Sequence, residues 1–422
     1  MPKQGESEDI FRASPDSMSP GLVSSGDSST LTTPVYERPL AESEASAAAV
    51  EETDGGKVSQ FDHITFWVGN AKQAATFYIA RFGFQPLAYR GLENGSRDMV
   101  SHVVRAGQTI FMFQSALLPG NEEMGDHLRD HGDGVRDVAF TVDNCRAVFK
   151  RAVAKGATVI RQPQELEDSN GTVTLATVRT FGDTTHTFVE RTNYTGEFLP
   201  SYTLLKPDPI QAFLPFIDIQ VVDHVVCNQD WDQMESVAEW YERNLSFHRF
   251  WSGYDKETHT EFTSMHTVVL TNEAETIKLG ITEPAVGRKK SQIEEYVTFY
   301  GGAGCQHIAL KTPNIIESVS RLVERGTSFL PIPASYYASL RERLKNSKVK
   351  ITENLDELER LNILVDFDDN GYLLQLFTSP MQDRPTVFLE LIQRNNHSGF
   401  GAGNFKSLFQ AIEEEQSRRG TL

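Results

Sequence analysis

Val222-Asp223-His224-Val225-Val226 opens a unit that the chain has already used once, at Phe61-Asp62-His63-Ile64-Thr65-Phe66. Both stretches are rich in β-branched and aromatic residues, as a half-buried strand is. A helix pattern follows each. Ala74, Phe77, Tyr78 and Phe82 fall at i, i+3, i+4 and i+8, and Val237, Trp240, Tyr241 and Leu245 repeat the spacing. That spacing predicts one apolar stripe along a helix. Gly83-Phe84 then begins a new strand, and Phe247 follows Val237 at the same interval as Phe84 follows Ala74. A strand–helix–strand unit has been duplicated.

Working outward, Gly134-Val135-Arg136-Asp137-Val138-Ala139-Phe140 pairs with Gly304-Cys305-Gln306-His307-Ile308-Ala309-Leu310. Each leads into a helix pattern ending near Gly, from Cys145 to Gly156 and from Ile315 to Gly326. Thr187-Phe188-Val189-Glu190-Arg191 aligns with Val387-Phe388-Leu389-Glu390-Leu391. The expectation is an α+β chain of two domains, 58–205 and 218–395, each built from paired βαβββ units. Pro207-Asp208-Pro209 marks the linker, 206–217. Residues 396–422 then form a loop and a C-terminal amphipathic helix from Phe405 to Arg419.

Composition narrows the function. The 422 residues carry a net charge of -18, which repels phosphate backbones and argues against nucleic acid as a partner. No apolar run approaches the roughly 20 residues of a membrane helix. Cys145, Cys227 and Cys305 form no CxxC pair, so a reducing compartment is expected, and the cytoplasm in particular. Residues 1–57 hold eleven acidic and four basic residues, ten serines and two aromatics, Phe11 and Tyr36. This is the composition of a disordered acidic tail, not of a secretory or mitochondrial leader.

The repeat turns single residues into a constellation. Its three matched positions carry His224, His307 and Glu390 in the second half, and His63, Asp137 and Glu190 in the first. A lone strand histidine is ordinarily structural. Two histidines at repeat-related places with a carboxylate at the third are a facial-triad ligand set for Fe(II), with open positions for substrate and O2. The buried Glu390 also needs a cation beside it. The first-half set, with one histidine, reads as a structural copy. Strand alternation places Val222 and Val226 beside His224, Cys305 and Ala309 beside His307, and Phe388 beside Glu390. Gln375 and Phe377 share one face of their strand; the bland reading of Gln375 is a satisfied core amide. Gly399-Phe400-Gly401-Ala402-Gly403-Asn404-Phe405 is either a mobile lid or a linker to a docking helix.

These residues resemble the 4-hydroxyphenylpyruvate dioxygenases of the vicinal-oxygen-chelate superfamily, from about Phe61 to Leu422. The motifs are Gly301 to Leu310, Asp369-Asn370-Gly371-Tyr372-Leu373-Leu374-Gln375-Leu376-Phe377-Thr378, Asp383 to Glu390, and Gly399 to Phe405. The resemblance implies a glyoxalase-like fold whose second domain curls into an open barrel around one Fe(II) on His224, His307 and Glu390. It implies a ring sandwich by Phe377 and Phe405, polar contacts from Gln292, Gln306 and Gln375, and gating by the last helix. Phe388, Phe400, Asn404, Thr267 and Thr282 complete the expected substrate contacts, with Val226 and Gly280 as wall. The implied reaction takes 4-hydroxyphenylpyruvate and O2 to homogentisate and CO2, in a homodimer.

The chain departs from the family on one strand. Gly280-Ile281-Thr282-Glu283-Pro284 stands where members usually read Pro-Ile-Asn-Glu-Pro, and Thr267 replaces a nearby Ser. Two alternatives follow: a hydroxymandelate synthase-like benzylic hydroxylation, or an inhibitor-tolerant paralogue. Phe377 favours ring hydroxylation over the synthases, which tend to carry Tyr there. A glyoxalase-type isomerase would draw ligands from both repeats, and Asp137 opposes it.

Overall fold

A computed structural model describes residues 56–253 and 262–422. The N-terminal tail reading lies outside the described residues, apart from Gly56 and Lys57. The duplicated pattern becomes two mixed sheets. The first holds β1 (Val58–Trp67), β2 (Gln85–Arg90), β3 (Met99–Ala106), β4 (Thr109–Ala116), β5 (Gly134–Val142), β6 (Thr158–Asp168), β7 (Gly171–Arg179), β8 (Thr185–Tyr194) and β9 (Thr203–Leu204). Its order is β6-β7-β8-β5-β1-β4-β3-β2-β9.

The second sheet holds β10 (Val222–Asn228), β11 (His248–Gly253), β12 (Ser264–Thr271), β13 (Lys278–Ala285), β14 (Gly304–Lys311), β15 (Leu364–Phe367), β16 (Tyr372–Phe377) and β17 (Phe388–Asn395). Its order, β11-β12-β13-β10-β14-β17-β16-β15, is the first order reversed with each strand replaced by its repeat partner. Strand β9 is an extra edge. The parallel pairs are also repeated: β1 with β4 and β5 with β8, then β10 with β13 and β14 with β17.

The helices repeat as well. In the first half they are α1 (Ala71–Phe82), α2 (Glu122–Asp130) and α3 (Cys145–Ala154). Their counterparts are α4 (Met234–Leu245), α5 (Gln292–Tyr300) and α6 (Ile315–Glu324). Then α7 (Ala334–Lys345) and α8 (Leu355–Arg360) are inserted before β15, and α9 (Phe405–Arg419) ends the chain.

The apolar stripe of α1 is rotated from the expected one. Ala71, Ala75, Tyr78, Ile79 and Phe82 are buried, while Phe77 is 39% exposed. The small Ala71 and Ala75 let the helix approach the sheet, so the apolar count alone misplaced the face. On α4 the fully buried set is Met234, Ala238, Tyr241, Asn244 and Leu245.

One apolar core runs through both sheets, with Phe140 and Phe188 in the same cluster as Tyr241 and Phe247. Polar groups cross the seam too. His186 faces the Val138 carbonyl at 2.8 Å and the Tyr241 hydroxyl at 2.7 Å. Arg325 donates to the Ala80 carbonyl at 2.8 Å and to the Pro215 carbonyl at 2.7 Å.

Candidate metal centre

Alternation along β14 sends Ile308 and Leu310 into that core and leaves His307 on the other face. β10 brings His224 beside it, in register with Ala309, and β17 pairs Ala309 with Glu390. Three adjacent strands thus converge three side chains. His224 Nε2 lies 3.2 Å from Glu390 Oε2, and His307 Nε2 lies 3.5 Å from the same oxygen. All three are nearly buried.

The other ring nitrogens decide what these contacts are. His224 Nδ1 faces Asp223 Oδ1 at 2.8 Å, and His307 Nδ1 faces Gln306 Oε1 at 3.1 Å. Both partners are acceptors, so both Nδ1 atoms carry the proton. The Nε2 of each ring then points at the Glu390 carboxylate. Two imidazole nitrogens and a carboxylate oxygen that converge in this way are a donor set for a cation, and acceptors on Nδ1 are the usual way to fix a metal-binding tautomer.

The two imidazoles titrate in opposite directions. Burial, with His224 adding to it, pushes His307 well below the usual histidine range, which keeps it neutral. Burial also pulls on His224, but the Glu390 and Asp223 carboxylates outweigh it and raise it to about 9. A divalent cation would take the place of that proton. Burial alone would raise Asp223; hydrogen bonds from Arg394 and His224 hold it well below the carboxylate range instead.

A pocket opens on the triad. Val226, Thr267, Gly280, Thr282, Gln292, Gln306, Gln375, Phe377, Phe388, Phe400 and Phe405 all line it. Asn404 does not. It is buried beneath the loop, where its Oδ1 accepts from Tyr336 Oη at 2.9 Å. Trp251, Met265, Val269, Ile293 and Leu408 also line the cavity and were not anticipated. Met265 and Val269 sit two residues either side of Thr267, and Leu408 three after Phe405, so alternation and helix spacing could have found them. Phe400 closes over His224 edge-on at 5.2 Å. Gly401, at φ +75°, lies so close to the Gln375 amide that any Cβ there would strike it.

Two sequence alignments need correction. Cys305 does not face the site: a register shift between Val226 and Cys227 turns it into the core, where its Sγ lies 3.3 Å from Cys227 Sγ. The first-half counterpart of Glu390 is Thr187, not Glu190. β14 and β17 pair His307 with Phe388, and β5 and β8 pair Asp137 with Thr185, so Thr187 takes the Glu390 place. Glu190 is three residues out of register, on the opposite face. It accepts from the Cys145 amide, as Gln393 accepts from that of Ile315. In the first half Asp137 is bonded by Thr185 and Thr187, and Phe198 sits edge-on against His63 at 5.4 Å. The copy is plugged.

Residues 60–190 and 222–376 match the family model of the Glyoxalase/Bleomycin resistance protein/Dioxygenase superfamily. The chain is 57% identical to the 4-hydroxyphenylpyruvate dioxygenase of Danio rerio, over 88% of this chain and 94% of that one. It is 56% identical to that of Xenopus tropicalis, over 87% and 94%. The chain belongs to the 4-hydroxyphenylpyruvate dioxygenase family. Among solved structures it resembles a triple mutant of the 4-hydroxymandelate synthase of Streptomyces coelicolor, with a TM-score of 0.75 and 31% identity over 85% of this chain and 99% of that one.

Against the usual 4-hydroxyphenylpyruvate dioxygenase pattern, the altered strand shows local compensation. Thr282 donates its hydroxyl to Asn228 Oδ1 at 2.6 Å, which leaves only an acceptor for the cavity. Val226 leans into the space at Gly280, so that a Cβ there would lie 2.8 Å from Val226 Cγ2. Among the described residues no helix is long and apolar enough to cross a membrane.

Proposed function

We propose that the chain holds one Fe(II) on His224, His307 and Glu390 and converts 4-hydroxyphenylpyruvate and O2 to homogentisate and CO2. The observation that carries this is the convergence of two Nε2 atoms on Glu390, with both Nδ1 atoms committed elsewhere. A 2-His-1-carboxylate set suits iron and leaves one face free. When bound, the metal supplies coordination sites for the 2-oxo acid and for O2 and the redox chemistry between them.

The chain's own residues do the rest. Asp223 and Gln306 hold the imidazoles in the ligating tautomer. Gln375 Oε1 is buried and lacks a partner among the described residues, so it is available to accept from the ring hydroxyl of the substrate. Phe377 and Phe405 flank the aromatic ring. Phe388 stacks on His307 at 4.9 Å and fixes that ligand's plane. Phe400, Phe405 and Leu408 exclude water when the loop and α9 are seated.

In this reading 58–205 is a structural domain, and 218–395 carries the chemistry. The enzyme works as a cytoplasmic homodimer, which the exposed Leu204, Ile210, Phe213 and Phe216 support as apolar surface near the linker. The test is product identification by mass spectrometry and NMR after anaerobic Fe(II) loading and addition of 4-hydroxyphenylpyruvate and O2. Homogentisate is expected. Hydroxymandelate would move the chain to the synthase branch, and absence of any product would overturn the proposal.

A further inference from the structure

A second set of ligand-type side chains lies outside this cavity, at the seam between the halves. His127 on α2 and His131 just after it are spaced i, i+4 and share one helical face. Asp183 reaches them from the turn before β8, where the Thr184 amide bonds back to the Phe181 carbonyl. One donor atom from each of the three lies within 4.8 Å of the others.

The hydrogen bonding leaves this cluster electron-rich. His131 Nδ1 faces the Tyr300 carbonyl at 2.6 Å and therefore donates. Its Nε2 faces Asp183 Oδ2 at 3.2 Å, again an acceptor. A neutral His131 would set lone pair against lone pair there. His127 is 2% exposed, and neither of its ring nitrogens has a hydrogen-bond partner among the described residues. A buried imidazole with both nitrogens unsatisfied is costly.

The charged groups around the cluster do not block a cation. Arg136 lies 3.6 Å from Asp183 Oδ2, but its guanidinium donates to Glu123 Oε1 at 2.9 Å and to the Asp183 carbonyl, and lies over Trp67. Glu123 balances Arg136, Arg129 pairs with Asp130, and Asp183 remains as net negative charge. The Asp183 side chain is 44% exposed, which gives an entry path.

We propose that His127, His131 and Asp183 form a second, structural site for a divalent transition metal of the zinc class. Two neutral imidazoles and a carboxylate are a zinc-type donor set. The 3.2 Å between His131 Nε2 and Asp183 Oδ2 matches the ligand–ligand edge of about 3.3 Å implied by tetrahedral bonds near 2.0–2.1 Å. The Tyr300 carbonyl, from the second half, plays for His131 the orienting part that Asp223 plays for His224. A metal here would tie α2 and the β7–β8 turn to α5.

The test uses the full chain with the first site disabled, His307→Ala with Glu390→Ala, stripped with a chelator and titrated with Zn2+ and Co2+. One equivalent should bind, with visible Co2+ absorption of low coordination number and a rise in Tm. Adding His127→Phe should abolish that equivalent while leaving the metal-free fold intact by circular dichroism. Should His127→Phe misfold, His127→Gln and Asp183→Asn, which keep the volume, must each weaken binding at least tenfold. No equivalent bound in the triad-disabled protein, or one that survives these substitutions, would overturn the proposal.

Discussion

Arg394 grips Asp223 through two parallel hydrogen bonds, Nε to Oδ2 at 2.8 Å and Nη2 to Oδ1 at 2.7 Å. Arg191 does the same to Asp62, at 2.8 Å and 2.8 Å, and Asp62 in turn meets His63. The clamp is a property of the repeated fold, and in the proposed function only the second copy serves to orient a metal ligand. Asp223→Asn should therefore lower Fe(II) affinity by about 10–100-fold. The matched Asp62→Asn should lower Tm and leave iron affinity unchanged. Equal effects of the two on iron binding, measured by anaerobic titration, would refute the assignment.

Gly280 and Val226 compete for one space. Gly280→Ala should cost about 1–3 kcal/mol in stability, because its Cβ would lie 2.8 Å from Val226 Cγ2. Combining it with Val226→Ala should recover most of that loss, a coupling that a double-mutant cycle in urea reads directly. Additive losses would show that the two side chains do not share the pocket wall.

Arg419 anchors α9 to the second half through Glu295, at 3.0 Å and 2.9 Å, with Thr421 on the same carboxylate. Glu295 is buried, so Arg419→Ala leaves a poorly compensated charge and loosens the helix that carries Phe405 and Leu408. A fall of about tenfold in kcat/KM is expected, equivalent to about 1.4 kcal/mol, together with more O2 consumed per product formed. Unchanged coupling would mean that α9 does not seal the cavity.

His186 makes folding stability depend on pH. Burial is the larger influence on it and the Val138 carbonyl opposes; the result is a pKa lowered to about 4, against 6.5 when unperturbed. Between these values the unfolded chain binds the proton and the folded chain does not. Stability is therefore retained above pH 6.5 and lost as pH falls toward 4, by roughly 3 kcal/mol at most. His186→Gln should flatten this part of the stability profile. A wild-type profile that is equally flat would contradict the assignment.

Much of this was legible because the fold is written twice. His224 and His307 stand out against strands that repeat, and a carboxylate inside Phe388-Leu389-Glu390-Leu391-Ile392 needs a cation whatever surrounds it. What failed was fine register. Glu190 looked equivalent to Glu390 because similar apolar residues precede both, and only the ladder between β5 and β8 shows the slip of three. Cys305 was misplaced by a bulge, which alternation cannot see. Asn404 sits in a Gly-rich lid motif yet points at Tyr336 on α7, an inserted helix with no counterpart in the first half. Resemblance to the family placed the cavity's polar residues; alternation alone had left Gln375 undecided.

The most direct measurement is anaerobic Fe(II) binding to the wild-type chain and to His307→Ala, followed by turnover of 4-hydroxyphenylpyruvate. Wild type should take up one iron at the triad and form homogentisate, and the variant should lose both. A variant that still binds that iron tightly and still turns over would contradict the three-ligand centre.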